Sequence, residues 1–422
     1  MAFKEYAFKY GRGEVRFRLD PAQIKGELLI KDFPPLSDPG AAIIDAIRKP
    51  IGSKPLREIV KPGQTVCFIV NDPTRVANSQ VFMPILLQEM NQAGVPDAKM
   101  FVIFAAGAHR ELSDKEMTEL VGPEVARRVK MYNSNAYDPT QFQYLGTTSR
   151  GTRVSFHKRV MEADHIVCTG SIVHHYFAGF GGGRKAMLPG VASYETICRN
   201  HALMLEPGAE IGRLRGNPVY EDQIEGVEFR RPSFLLNVVL NEKKEFLKVF
   251  AGDYIQAHLV ACEFVDQVYG VPIAQPADIV IATCGGYPKD INVYQLQKTM
   301  DNAWVAVREG GVVIILGECE EGVGSDQYLQ WMEEYKTPEK IEEKTRCEFI
   351  VGGHKAYAVT RLMKKAQFIL VSGLNPDLAR TLLFHPARDM ADALKIAFSK
   401  PGPNPQILLM PQGSLTVPIL KT

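Results

Sequence analysis

The chain has 422 residues, and its 49 lysines and arginines nearly balance its 48 aspartates and glutamates. Hydrophobic residues make up 45% and charged residues 23%, which is typical of a globular protein with two or three domains. This balance gives no basic surface for nucleic acid, and no apolar run reaches the roughly 18 residues of a membrane-spanning helix. We therefore expect neither nucleic acid nor a membrane among its partners.

The seven cysteines are scattered along the chain, at positions 67, 168, 198, 262, 284, 319 and 347. Their odd number and the lack of a CxxC spacing predict reduced thiols rather than a disulfide framework or a four-cysteine zinc site. The N-terminal sequence is charged throughout and does not resemble a signal peptide. We expect a cytoplasmic protein.

The first 30 residues alternate between polar and apolar side chains, which predicts strands. Continuous apolar runs then lie at 65–72, 99–106 and 164–175, each ending in polar residues, and helical spacing with a terminal glycine occupies 81–94 and 112–122. Such strands alternating with helices predict a parallel sheet.

A second series follows a turn-rich stretch at 271–276. Strands are predicted at 277–286, 310–318 and 366–374, helices at 293–308 and 387–400, and a last strand after 405. The predicted fold is α/β with two domains, each a mostly parallel sheet flanked by helices, and with the active site in the interdomain cleft. We place an N-terminal domain at 1–273, joined by 405–422, and a doubly wound C-terminal domain at 274–404.

The most unusual segment is HHYFAGFGGGRKAMLPGVASYETICRNH, at 174–201. Its glycines permit positive φ, and exposed amides in such a loop can bind an anion, while Ser193 predicts a helix N-cap. A P-loop is excluded because Arg184-Lys185-Ala186 replaces Gly-Lys-Ser/Thr, and a GxGxxG fingerprint would need glycine at 184. A flexible surface loop is the alternative, and the apolar side chains of this segment argue against it: Phe177, Phe180, Met187 and Leu188.

Polar side chains follow three of the predicted strands. They are Asp72 to Arg75, His109 with Arg110, and His174 with His175. Each histidine alone is more often an ordinary core or surface residue, but a parallel sheet delivers all three strand ends to one edge. We expect these side chains to converge there.

In the second series, Tyr294 and Lys298 share a helix face, with Gln295 beside them. A lysine and a glutamine suit a carboxylate ligand, although an ordinary amphipathic helix with a solvated lysine explains the spacing as well.

Together these segments resemble the nickel-dependent lactate racemase family, over essentially the whole chain. The resemblance is carried by the DPTR loop (72–75), the GAHR loop (107–110), the block at 174–201, the YQxxK helix (294–298) and the GGHKAY stretch (352–357). It implies two α/β domains around a cleft. It also implies a nickel-pincer nucleotide cofactor, a pyridinium mononucleotide whose two sulfur-containing arms hold nickel.

By this resemblance, Lys185 carries the cofactor covalently and His201 is the protein ligand of nickel, for which an imidazole is suitable. The cofactor-contacting residues it implies are Asp72, Pro73, Thr74, Arg75, Gly182 and Gly183. Substrate contacts are implied at Arg75, Tyr294, Gln295 and Lys298, and Tyr357 would bound a small methyl pocket.

The implied reaction is racemisation or epimerisation of a 2-hydroxy acid, either lactate or a similar short acid, by reversible hydride transfer through a 2-keto acid. Removing the α-proton instead would leave a carbanion beside a carboxylate, which a histidine with a pKa of about 6.5 cannot stabilise. The two enantiomers present their hydroxyls on different sides, so two imidazoles are needed, and the family's pair corresponds to His109 and His175. His175 is preferred over His174 because it lies ten residues before Lys185.

Three alternatives stay open. In the first, the substrate is a larger 2-hydroxy acid such as malate, an aromatic acid or a sugar acid. In the second, the chain is a hydrolase with zinc on His109, His175 and His201, which leaves Lys185 without a role. In the third, it is a cofactor-free protein that binds hydroxy acids. The expected partners are the small-molecule substrate and the enzymes that build the cofactor.

Overall fold

The computed structural model describes residues 3–400, 402 and 404–420. Its strands are β1 Lys4–Tyr10, β2 Gly13–Leu19, β3 Ile24–Glu27, β4 Val66–Asn71, β5 Met100–Ala105, β6 Lys130–Asn133, β7 Phe142–Thr147, β8 Arg153–His157, β9 His165–Ser171, β10 His174–His175, β11 Gly179–Phe180, β12 Phe234–Leu240, β13 Phe246–Gly252, β14 Gly270–Ile273, β15 Ala277–Thr283, β16 Val307–Leu316, β17 Gln367–Val371, β18 His385–Ala387, β19 Ile407–Met410 and β20 Val417–Leu420.

The α-helices are α1 Pro39–Arg48, α2 Leu56–Ile59, α3 Ser79–Gln92, α4 Asp114–Val121, α5 Pro123–Arg128, α6 Lys158–Glu162, α7 Tyr194–Ala202, α8 Pro218–Glu228, α9 Gln256–Tyr269, α10 Val293–Ala306, α11 Asp326–Tyr335, α12 Pro338–Cys347, α13 His354–Met363, α14 Pro376–Thr381 and α15 Met390–Phe398. Short 3-10 helices lie between them, one of them at Gly183–Ala186. Within the described part of the chain, no helix is both long and apolar enough to cross a membrane.

Residues 32–265 form one compact unit around a six-stranded sheet in the order β13-β12-β9-β4-β5-β6. All neighbours are parallel except β12 and β13. The apolar runs predicted from the sequence are its buried strands; Phe68 of β4 and Phe104 of β5 pack in one core with Phe82 and Leu86 of α3. Burying side chains of this size stabilises the unit by about 1.5–3 kcal/mol each. Because β9, β4 and β5 are parallel neighbours, their carboxyl ends lie at one edge, as expected.

Residues 1–31 and 266–422 form the other unit. Its six-stranded sheet has the order β18-β17-β16-β15-β19-β3, and every pair is parallel. The β1–β2 hairpin packs its aromatic side chains, Phe8 and Phe17, into the same core as Ile281 of β15 and Ile314 of β16.

The division between the units differs from the sequence prediction. The predicted boundary at 273/274 lies instead at 265/266, within α9, and neither residues 1–31 nor residues 405–422 belong with the unit at 32–265. The reason is strand pairing: β3 pairs with β19, which pairs with β15, and β14 pairs with β20. Chain ends that are distant in sequence therefore complete the second sheet.

Candidate functional site

The loops after β4 and β5 are joined by an aspartate and a histidine. The Asp72 carboxylate is 4% exposed and forms a hydrogen bond with Nδ1 of His109, while Thr74 Oγ1 donates to its other oxygen at 2.7 Å. An ionised carboxylate only accepts, so the His109 proton lies on Nδ1 and the Nε2 lone pair is left on the exposed side of the ring. Asp72, expected to contact a nucleotide, thus holds His109 in the tautomer of a base.

Arg75 belongs to the same cluster. Its backbone N–H donates to Asp72 O at 3.1 Å, and its carbonyl accepts from the Asn71 side chain at 3.3 Å, so the loop is fixed although the arginine is exposed. The Arg75 charge is among the causes that lower the pKa of Lys185, after burial and the charge of Arg184.

The glycine-rich loop is packed rather than flexible. Gly182 and Gly183 have φ of +69° and +56°, and a Cβ at these positions would lie 2.6 Å from Ile172 and 2.5 Å from His258, respectively. The Gly183 N–H donates to Asn237 Oδ1 at 2.8 Å. This amide is therefore engaged, and it does not form the anion-binding cradle predicted from the glycine content. The alternative of a flexible surface loop is also wrong.

The loop that carries His109 contacts the loop that carries Lys185. Gly107 N–H donates to Gly190 O at 3.0 Å. A second connection runs through Tyr137, whose hydroxyl donates to Ala108 O at 3.2 Å and whose ring stacks on Tyr194, the first residue of α7, at 4.6 Å. The α7 helix begins at the predicted cap, Ser193.

Phe177 brings together three of the predicted functional residues. This ring is 2% exposed and contacts the imidazoles of His175 at 4.6 Å and His201 at 5.1 Å between centroids. The Lys185 Nζ lies 5.7 Å from the centre of the same ring. In the sequence Phe177 is recognisable only as an apolar residue of the loop, and no motif marks it as a shared packing partner.

His175 is held in a defined tautomer. The Ala178 N–H donates to its Nδ1 at 3.3 Å, so the proton of the neutral ring lies on Nε2. In this state His175 is a hydrogen-bond donor through Nε2, whereas His109 is an acceptor. For His175 to act as a base through Nε2, it must give up the long bond from Ala178.

The amine of Lys185 is suited to nucleophilic chemistry. Burial is the largest cause that lowers its pKa well below 10.5, and the charges of Arg184 and Arg75 add to it. The residue nevertheless keeps a partly exposed surface that a ligand can reach. A neutral lysine amine is a nucleophile, whereas an ammonium ion is not.

A lysine-tethered, nickel-holding nucleotide fits these residues. Lys185 offers an amine of lowered pKa beside Phe177, and the imidazole of His201 contacts the same ring. The positive charge of the exposed Arg75 suits a phosphate or a carboxylate. The three-histidine zinc site of a hydrolase, by contrast, is not formed, because no group of three or more His, Cys, Asp or Glu side chains among the described residues can hold a metal ion.

The remaining predicted residues belong to the other unit and are described by themselves. Asn292 caps α10 by accepting from the Gln295 N–H at 3.1 Å, and the exposed Lys298 Nζ donates to Gln295 Oε1 at 3.1 Å. Lys355 Nζ lies over the Tyr294 ring at 4.6 Å. Tyr294, Gln295 and Lys298 therefore share the first turns of one helix, as their spacing predicts.

A series of hydrogen bonds between side chains joins α10 to α13. Lys355 donates to Gln297, Gln297 donates to Asp301, and Arg361 donates to Asp301 at 3.2 Å. Burial raises the pKa of Asp301 to about 6 despite its cationic neighbours. Lys355 was not among the predicted site residues, although it lies in the GGHKAY stretch.

Tyr357 lies in a helix. The α13 helix begins at His354, and Tyr357 is only 7% exposed within it. Ala356, Tyr357 and Val359 are buried where α13 packs on its neighbours, which explains why the segment is helical.

Comparisons with known proteins agree with this arrangement. Residues 10–212 match the family described as Lactate racemase N-terminal domain, and residues 273–417 match Lactate racemase C-terminal domain. The lactate racemase of Thermoanaerobacterium thermosaccharolyticum is 32% identical over 413 residues, which cover 96% of each chain. That of Lactiplantibacillus plantarum is 31% identical over 375 residues, covering 87% of this chain and 88% of the relative.

Solved structures are similar as well. The lactate racemase apoprotein from T. thermosaccharolyticum superposes with a TM-score of 0.89 at 31% identity, covering 99% of this chain and 100% of the other. A protein from Thermotoga maritima has a TM-score of 0.65 at 19% identity over 93% of this chain and 100% of its own, a likeness of fold alone.

Proposed function

The chain belongs to the lactate racemase family, and we propose that it interconverts the enantiomers of lactate or of a similarly short 2-hydroxy acid. We propose further that it does so with a nickel-pincer nucleotide attached to Lys185 and with His201 as the protein ligand of nickel. The observation that carries the proposal is the convergence of the Asp72–His109 pair, Arg75 and the Phe177 cluster at one edge of one sheet.

When bound, the cofactor supplies an electrophilic carbon that accepts the α-hydrogen of the substrate as hydride and later returns it. The protein's task is then to bind the carboxylate and to move the hydroxyl proton. Arg75 offers a guanidinium for the carboxylate. In the other unit, Gln295 and Lys298 provide an amide and an ammonium within one turn of α10, and we assign carboxylate binding to them as well.

His109 accepts the hydroxyl proton of one enantiomer at Nε2, because Asp72 holds the ring proton on Nδ1 and stabilises the imidazolium that forms. His175 serves the other enantiomer. In the neutral form its Nε2 donates a hydrogen bond to the substrate oxygen, and it becomes the base when the contact from Ala178 N–H is released. A general base or acid of this kind contributes about 10²–10⁴-fold to the rate.

The test uses chain co-expressed with the enzymes that build the cofactor, supplied with L-lactate or with other 2-hydroxy acids, and followed by chiral chromatography. Interconversion of lactate, with loss in His109→Ala and His175→Ala but retention of nickel in both, is the expected result. His165→Gln is the matched control, because His165 begins β9 at the opposite end of the sheet.

Two outcomes would contradict the proposal. The first is turnover by wild-type protein whose intact mass shows no adduct on Lys185. The second is exchange of the α-hydrogen with solvent during racemisation of α-deuterated lactate, because hydride return keeps the label in the product.

A further inference from the structure

A single buried carboxamide connects the segments that carry Lys185 and His201. The residues just before them in sequence, Arg184 and Asn200, are both fully buried. Arg184 Nε donates to Gln223 Oε1 at 3.0 Å, and Gln223 Nε2 donates to Asn200 Oδ1 at 3.0 Å. Gln223 lies on α8 and is itself fully buried. One side chain therefore satisfies one polar group from each segment.

The network is anchored at both ends. At one end, Arg184 Nη2 donates to Ala178 O at 2.7 Å, which fixes the loop that precedes Lys185. At the other end, Asn200 Nδ2 donates to Asp222 Oδ2 at 2.8 Å. A fully satisfied buried network of this kind allows few other arrangements, since any shift would leave a polar group without a partner.

The Asp222 end is itself held by two threonines. Thr148 and Thr152 donate to its two carboxylate oxygens at 2.5 and 2.8 Å. These bonds stabilise the same network, but they lie beyond Asn200 and connect to neither Arg184 nor Gln223. They provide a natural comparison for any effect of lost stability alone.

We propose that Gln223 is a positioning residue that sets the separation of Lys185 and His201 and thereby allows both to hold one cofactor. The inference rests on the proposed function, in which these residues are the covalent and the metal attachment. A group held at two points needs both at a fixed distance, and a misplacement of about 1 Å in an active site can reduce the rate about 10²-fold. The effect of Gln223 passes through its hydrogen bonds to Arg184 and Asn200.

The experiment compares holoenzyme carrying Gln223→Met, which has similar volume and removes both bonds, with wild type and with Thr148→Val. Intact mass gives the fraction of chains with the adduct, and nickel per adduct is measured over time in a chelator. We expect Gln223→Met to form the adduct, to lose nickel at least tenfold faster, and to show kcat reduced about 10–10²-fold with KM within about threefold. Thr148→Val should retain nickel like the wild type, although its Tm should fall about as far as that of Gln223→Met.

If Gln223→Met does not fold, Gln223→Glu replaces it, because a glutamate still accepts from Arg184 but cannot donate to Asn200. It should form the adduct normally and show the faster nickel loss. Equal nickel retention and kcat in the Gln223 variant and in Thr148→Val would overturn the inference while leaving the proposed function intact. Absence of an adduct in the wild type would instead overturn the proposed function, and the inference with it.

Discussion

The lowered pKa of Lys185 has a measurable effect on the stability of the protein without cofactor. In the unfolded chain this lysine has the ordinary pKa of 10.5, and in the folded chain burial, with Arg184 and Arg75, lowers the pKa well below that value. Between the two pKa values the unfolded state binds one proton that the folded state does not, so the free energy of unfolding rises with pH. The slope is about 1.4 kcal/mol per pH unit in that window.

Lys185→Met removes this group and keeps most of the side-chain volume. The variant should be more stable than the wild type at neutral pH. Its advantage should shrink as the pH rises toward 10.5, by about 1.4 kcal/mol per pH unit between the folded and the unfolded pKa of Lys185, since the wild type gains stability there. Urea unfolding of both apoproteins at several pH values measures the difference. Because Lys185 is partly exposed, the pH range between its folded and unfolded pKa values is narrower than for a fully buried lysine. The change in the free energy of unfolding per pH unit within that range is the same.

Met187→Leu is the control for the loop, because Met187 is fully buried two residues away and carries no titratable group. Its stability relative to wild type should be the same at each pH. A Lys185→Met difference that is equally independent of pH would refute the reasoning that this amine is neutral in the folded protein.

Two further predictions concern the same unit. Asp72→Asn should lower kcat/KM of the holoenzyme about 10–10²-fold in both directions, because a hydrogen bond to a charged group contributes about 1.5–3 kcal/mol and the amide no longer fixes the His109 tautomer. Chiral chromatography measures the two rates. An equal loss of kcat/KM in Asp164→Asn, at the other end of the sheet, would contradict the prediction. Burial lowers the pKa of His157 from 6.5 to about 4, so folded protein should lose up to about 3 kcal/mol of stability as the pH falls through that range. His157→Asn, which can still accept from Arg159 N–H, should lose less over the same range, and identical pH dependence in urea unfolding would be the opposing result.

The sequence predicted the parts of the fold that depend on local patterns. Buried parallel strands are continuous apolar runs, and 65–72 and 99–106 enclose β4 and β5. The Ser193 cap of α7 was also recognisable, because a side-chain oxygen at that position satisfies a free N–H of the first turn. The alternation of strands and helices indicated parallel strands, which is why the His109 and Asp72 loops were expected at one edge.

The features that were predicted wrongly or not at all depend on contacts between residues distant in sequence. The pairing of β3 with β19 has no local signal, so residues 1–31 were assigned to the wrong unit. The engagement of the Gly183 amide by Asn237 and the bridging role of Gln223 likewise require three-dimensional proximity that composition does not contain. Phe177 is apolar in an apolar segment, and nothing in its sequence surroundings distinguishes a ring that contacts His175, Lys185 and His201 from an ordinary core residue.

The route of the chain has a consequence for how the protein forms during synthesis. Strand β3 leaves the ribosome early, but β19, its only neighbour in the described sheet, follows about 380 residues later, which at 5–20 residues per second is a delay of roughly 20–80 s. The intervening unit at 32–265 is complete long before that, so it can fold while the first segment is still unpaired. The N-terminal hairpin, with Phe8 and Phe17 not yet covered, is then the part of the nascent chain most in need of protection from aggregation.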